Sequence, residues 1–229
     1  MVKRGISLFF LLIFGFAIIY GQEIITADGY LRIVSDNYAG IRDYEANIVI
    51  RSGGTDMIGV ASNLQPSFMR IDFTRPAEQV IVFNGETLTV YLPEFRAVLS
   101  QSISRSRMSS ATGAGLASAQ GLSLLRNNYV CSFVTGPSPE VLDAGSAEMV
   151  VKLRLTRRYT SEGFREIILS INPETRLIRR IEGRTIADAV VRFDFTNIRV
   201  NLGIPEQRFI YDAPASANMY NNFMFRDLD

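Results

Sequence analysis

Residues 64–95 carry three short runs in which apolar and polar side chains alternate, at 68–73, 79–83 and 87–92. A period of two over four to eight residues marks a half-buried strand. Pro76 punctuates the first gap, and Asn84-Gly85, a strong hairpin signal, fills the second. The pattern predicts an antiparallel meander with one wet face and one apolar face. Turning Arg70 and Asp72 to water leaves Met69, Ile71 and Phe73 on the apolar face, with Leu88 and Val90 as their counterparts on the hairpin partner. Thr89 and Tyr91 then point outward. A slip of one residue would exchange the two sets.

The remaining pattern extends this sheet and supplies a cover for it. Leu31, Val34, Tyr38 and Ile41 recur at spacings of three and four, which predicts an amphipathic helix within residues 24–41, ending near Gly40. Strands are predicted at 44–51, 57–64 and 96–102, the first two joined by a turn at 52–56. Residues 109–127 are dominated by Ala, Gly, Ser and Leu. They read either as a flexible small-residue linker or as a mobile helical flap with Leu116, Ala119, Leu122 and Leu125 on its underside. Each internal glycine costs up to about 1 kcal/mol relative to Ala, so such a helix depends on packing. Further strands are predicted at 129–134, 148–157, 164–171, 177–184 and 190–199, with a tight turn at 172–175. Phe209, Ile210 and Tyr211 form an apolar kernel in a loop-rich stretch, and the tail from residue 216 lacks periodicity.

A large sheet with one apolar face curls, and its concave side needs an apolar cover. Leaving that face wet would forfeit about 25 cal/mol per Å². The expected fold class is therefore mainly β with a helical lid (α+β). It is a curved, incomplete antiparallel β-barrel of about ten to eleven strands, covered by the N-terminal helix and the central helical insertion.

The first residues stand apart from that fold. Lys3 and Arg4 precede an apolar run over residues 6–20, followed by Gly21-Gln22, the layout of a secretory signal peptide cleaved after Gly21. The run is shorter than the roughly 20 residues a spanning helix needs. The expected organisation is a signal peptide at 1–21, one domain at 22–215 and a loose tail at 216–229. No cysteine follows the apolar run, so no lipid anchor is expected there.

Composition narrows the chemistry. The 24 basic residues less Lys3 and Arg4 leave 22 against 23 acidic ones, which gives no electrostatic case for nucleic acid. Cys131 is the only cysteine and cannot form an internal disulfide. The chain has no histidine, which removes Ser-His-Asp and Cys-His catalysis and every His-containing metal site. There is no phosphate loop or dinucleotide fingerprint. Paired carboxylates remain open, with Asp72, Glu78 and Glu86 the acidic residues to locate.

The order of these features resembles the periplasmic lipoprotein-carrier family of LolA type. An exported chain opens with a helix at 31–41 and a strand through Tyr44, then Leu64-Gln65-Pro66-Ser67-Phe68-Met69. Thr74-Arg75-Pro76, the Asn84-Gly85 turn and Thr87-Leu88-Thr89-Val90-Tyr91 before Pro93 come next. Phe195-Thr196-Asn197-Ile198-Arg199-Val200-Asn201, then Phe209-Ile210-Tyr211 and Pro214, resemble the closing passage. Each motif is weak alone; their order covers most of the mature chain. The resemblance implies a non-enzymatic periplasmic carrier, a monomer without cofactor. It would take a lipoprotein's acyl chains from an inner-membrane ABC-type releasing complex to the outer membrane, where a receptor is a further possible partner.

It also implies site residues. Met69, Ile71, Phe73, Leu88 and Val90 would line the hydrophobic cavity, with Leu116, Leu122 and Leu125 on the lid. Gln65 stands where well-known members have an Arg that latches the lid, and an uncharged amide latches more weakly. Competing expectations are a lipid-sensing envelope regulator, an outer-membrane receptor on the same fold, and a carboxylate-dependent hydrolase of envelope glycans.

Overall fold

In the computed structural model, which describes residues 25–103 and 114–221, one continuous sheet curls around two helices. Helix α1, Ala27–Ala39, is opened by Thr26, whose hydroxyl accepts from the Gly29 amide. Its buried side chains include Tyr30, Leu31, Val34 and Tyr38, the stripe that the three-and-four spacing predicts. Gly40 caps the end in right-handed helical geometry, so its freedom to adopt positive φ is not used there.

Six strands follow as a meander: β1 Asp43–Ser52, β2 Thr55–Leu64, β3 Phe68–Arg75, β4 Ala77–Phe83, β5 Thr87–Leu92 and β6 Ala97–Ser102. The β1–β2 turn is made by Gly53 and Gly54, both at positive φ, where a Cβ would be strained. Helix α2, Ala119–Asn128, crosses next and leads into β7, Tyr129–Phe133. Then come β8 Glu140–Val141, β9 Met149–Arg157, β10 Phe164–Ile171, β11 Ile178–Thr185, β12 Val190–Val200 and β13 Asn218–Asn221. The spatial order is β13-β6-β5-β4-β3-β2-β1-β12-β11-β10-β9-β7, with β8 paired to β9 alone. The sheet is not closed: β12 returns to β1, while β7 and β13 remain at opposite ends. This is an incomplete barrel, with α1 and α2 on its concave side.

Three features depart from the sequence reading. Among the described residues thirteen strands form rather than about ten to eleven, because the short β8 and β13 carry no periodic signal. β13 lies in the aperiodic tail and pairs in parallel with β6, whose edge it covers. The helix read across 109–127 is not continuous: α2 begins at Ala119 after a 3₁₀ turn, Ala114–Leu116, and residues 104–113 lie outside the described part. The signal-peptide residues and 222–229 lie outside it as well.

The outer face of the meander is not simply wet. Leu64, Val80, Val82 and Phe209 form a second, smaller core there, joined by Phe68, Tyr91, Ile204 and Tyr211. The segment after β12 crosses this face as a strap. Asp43, fully buried, accepts from the amides of Leu202 and Gly203 and fixes its start. Arg70 then donates to the carbonyls of Arg208 and Ile210, while Arg208 pairs with Asp72. Of the predicted apolar kernel, Phe209 is buried but Ile210 is 61 % exposed, because Phe209 closes a 3₁₀ turn, Glu206–Phe209, and the chain becomes extended at Ile210.

Candidate functional site

The strand register assembles the concave face. Met69 pairs with Phe83 and Phe83 with Leu88; Ile71 pairs with Ile81 and Ile81 with Val90. Two rows of side chains thus cross β3, β4 and β5. Met69, Ile71, Phe73 and Leu88 are buried in the main core, and Val90 packs against it half-buried. All five predicted lining residues therefore face inward. Phe83 and Ile81 belong to the same rows and were not singled out from sequence, although the register through the Asn84-Gly85 turn carries the signal. Asn84 Oδ1 accepts from the amides of Glu86 and Thr87, which sets Phe83 opposite Leu88.

The lid residues belong to the same core. Leu116, Leu122 and Leu125 are between 0 and 4 % exposed and lie in the same core as Met69 and Phe83, while Ala119 is only half-buried. α2 starts at Ser118, whose hydroxyl accepts from the Gly121 amide and donates to the Gly115 carbonyl. A Cβ on Gly121 would sit 2.4 Å from that same carbonyl oxygen, so glycine lets the preceding turn fold tightly onto the helix. From below, Tyr44 donates to the Ala117 carbonyl at 2.7 Å, a buried bond between sheet and lid. Burial pushes the Tyr44 hydroxyl well above its ordinary value, so it stays a donor. In this closed arrangement the helices fill the concave side themselves. The larger clefts, of about 590, 290 and 260 Å³, lie elsewhere, and none is lined by the five meander residues.

Gln65 sits at the rim of the concave side. Its Nε2 donates to the carbonyls of Tyr38, Ala39 and Ile41, at 3.1, 3.1 and 2.6 Å. These carbonyls lie at and just past the C-terminal end of α1, where that of Tyr38 also accepts from the Ile41 amide. Gln65 therefore ties the meander to α1, and no bond from it to α2 is present among the described residues. A neutral amide suits this task, since a carbonyl cluster needs donors and Gln carries two on one nitrogen.

The acidic residues do not assemble a cleft. Glu78, near the start of β4, and Glu86, beyond its end, are both exposed, and Asp72 is on the outer face under the strap. Burial pushes the Asp72 carboxyl up, but hydrogen bonds and charge from Arg70 and Arg208 outweigh it and hold the group below its ordinary value. A carboxylate kept ionised by two guanidiniums is poorly placed as a general acid. Another network, Asp194 with Arg51, Arg179 and Arg180, lies on the outer face of β12; its members come from three different strands and gave no linear signal. Among the described residues no group of three or more acidic or cysteine side chains could hold a metal ion. Burial, with Asp28 adding, pushes the Cys131 thiol up to about 12.

No family model matches the chain, and no curated protein matches it. Solved structures do. An uncharacterized conserved protein of Thermus thermophilus superposes with a TM-score of 0.55 at 15 % identity, over 85 % of this chain and 98 % of the other. MucB superposes at 0.51 and 15 %, over 82 % of this chain and 63 % of its own. The half-barrel fold is shared with both. A LolA superfamily protein of Nitrosomonas europaea matches at 0.42 and 15 %, over 82 % of this chain and 98 % of that one. At such identities the likeness extends to the fold alone.

Proposed function

We propose that the protein is a carrier that holds the acyl chains of lipoproteins against its concave face and moves them between membranes of the cell envelope. The observation that carries this reading is the makeup of the interior. Two cross-strand rows from Met69 to Val90 share one core with the leucines of a short, glycine-containing helix rather than with a second sheet. Such a cover can leave, because an isolated helix of 10 residues is not stable in water and is held by its packing alone.

The energetics favour a filled resting state. Burying an acyl chain is worth about 0.8 kcal/mol per methylene, so a chain of roughly 16 carbons would contribute on the order of 12 kcal/mol in an empty cavity. A carrier bound that tightly could not release its cargo. With Leu116, Leu122 and Leu125 occupying the interior, the ligand gains only the difference between its contacts and theirs. The site needs no cofactor. An ABC-type releasing complex as donor, and an outer-membrane receptor as acceptor, are the partners this role requires, and export to the periplasm is its setting. Purification from the envelope followed by mass spectrometry tests it: acylated proteins or lipopeptides should co-purify. A lipid-free protein that takes up no lipopeptide on addition would sink the reading.

A further inference from the structure

The wall of the half-barrel is split at one place. β11 pairs with β12 only from Arg180↔Asp194 to Arg184↔Val190, although β12 runs on to Val200 along β1. Irregularities on both sides account for the separation. On β11, Arg179 is an extra residue, because Ser170 faces Arg180 and Ile171 faces Ile178. On β12, the register against β1 slips where Asn197 takes a left-handed φ of 50°. Bulges bend their strands and increase the local twist, so the two part company beyond Asp194.

A side chain of α1 fills the top of the split. The Ile178 amide would otherwise point at β12, and it donates to the Tyr38 hydroxyl at 3.0 Å in a buried bond. The β10–β11 turn is held against the same helix. Arg176 donates to the Tyr30 hydroxyl at 2.7 Å and lies 5.0 Å from its ring centroid, and Asn37 donates to the Thr175 carbonyl at 3.2 Å.

Below these contacts the split is open. Two clefts of about 290 and 590 Å³ meet at Thr175, Leu177 and Ile198. One reaches the outer-face pair Glu148 and Arg179, and the other reaches the last turn of α1 at Asp36 and Asn37, and Ile41 just past it. Their floor is the interior itself: Phe195 and Ile41 belong to the main core, and Leu177 and Ile198 pack against it. The fissure therefore runs from the charged outer rim down to side chains of the main core, with a volume in the roughly 300–1,000 Å³ range of ligand clefts.

From this geometry we infer that the β11–β12 fissure is the port through which an acyl chain threads into the interior, closed at its upper end by the Tyr38 hydroxyl on the Ile178 amide. This rests on the acyl-carrier reading above. Apolar walls continuous with the core suit a hydrocarbon chain, and the charged rim at Arg179 and Glu148 suits the polar group that stays in water. The bulge at Asn197 breaks the regular spacing of donors and acceptors that an added peptide strand would need, so an extended peptide is the poorer occupant.

Sealing the port tests it. In a Cys131→Ser background, Asn37→Cys with Thr175→Cys places a reducible bridge across the fissure, and Ile198→Trp plugs it without one. The probe is cis-parinaric acid, whose fluorescence reports entry into an apolar site. The oxidised double variant should lose uptake and regain it with reductant, Ile198→Trp should slow uptake, and Tyr38→Phe should speed it. Uptake by the oxidised protein and by Ile198→Trp at the wild-type rate overturns the port while leaving acyl binding intact. A wild type that takes up no cis-parinaric acid overturns both.

Discussion

At the residue scale, Gln65 shows how one side chain links two elements. Its three bonds end at the C-terminal end of α1, so its loss strands the carbonyls of Ala39 and Ile41 and leaves that of Tyr38 with the Ile41 amide alone. Gln65→Ala should lower stability by about 1–3 kcal/mol, read from denaturant unfolding, and amide exchange should rise first in the last turn of α1. An unchanged exchange pattern there would contradict this role. The sequence placed a hydrogen-bonding residue at the head of the meander, but not its partner. Gln65 and Ile41 are 24 positions apart, and only the folded register brings the amide under the helix end. The inward set Met69, Ile71 and Phe73 was legible because alternation of charge with hydrophobicity decides which face is buried.

At the element scale, the lid and the strap obey different physics. The lid competes with the ligand for the same contacts. Leu122→Ala should therefore cost about 2–5 kcal/mol of stability without ligand and at the same time tighten cis-parinaric acid binding. Calorimetric melting and fluorescence titration measure the two; parallel loss of both would show that the lid supports the site rather than occupying it. The strap is held by charge. Asp72 has a folded-state value below its ordinary one, so the stability it contributes is present at neutral pH and is lost as pH falls through that lowered value. Acid should thus release the strap, with loss of the near-UV circular dichroism of the packed pair Tyr91 and Tyr211, and Asp72→Asn should remove that transition. Regular elements were legible because one face of each is apolar. The strap was half-legible, since Phe209 and Tyr211 stood out while Asp43, Arg70 and Arg208, which fix its path, act on partners distant in the chain.

At the scale of the whole molecule, a sheet open at β7 and β13 curls around two helices and leaves its wall split between β11 and β12. The curl was legible from the length of the one-faced sheet. The split was not, because it follows from two bulges and one tyrosine that sequence periodicity does not register. The central claim is that an acyl chain lies on the concave face, in the volume the lid leucines now fill. Photolabelling with a diazirine-bearing palmitate, followed by peptide mass spectrometry, tests this most directly. The account predicts adducts on β3 and β5 at Ile71, Phe73 and Leu88, and on α2. Adducts confined to the outer face around Phe209 and Tyr211, or none at all, would contradict it.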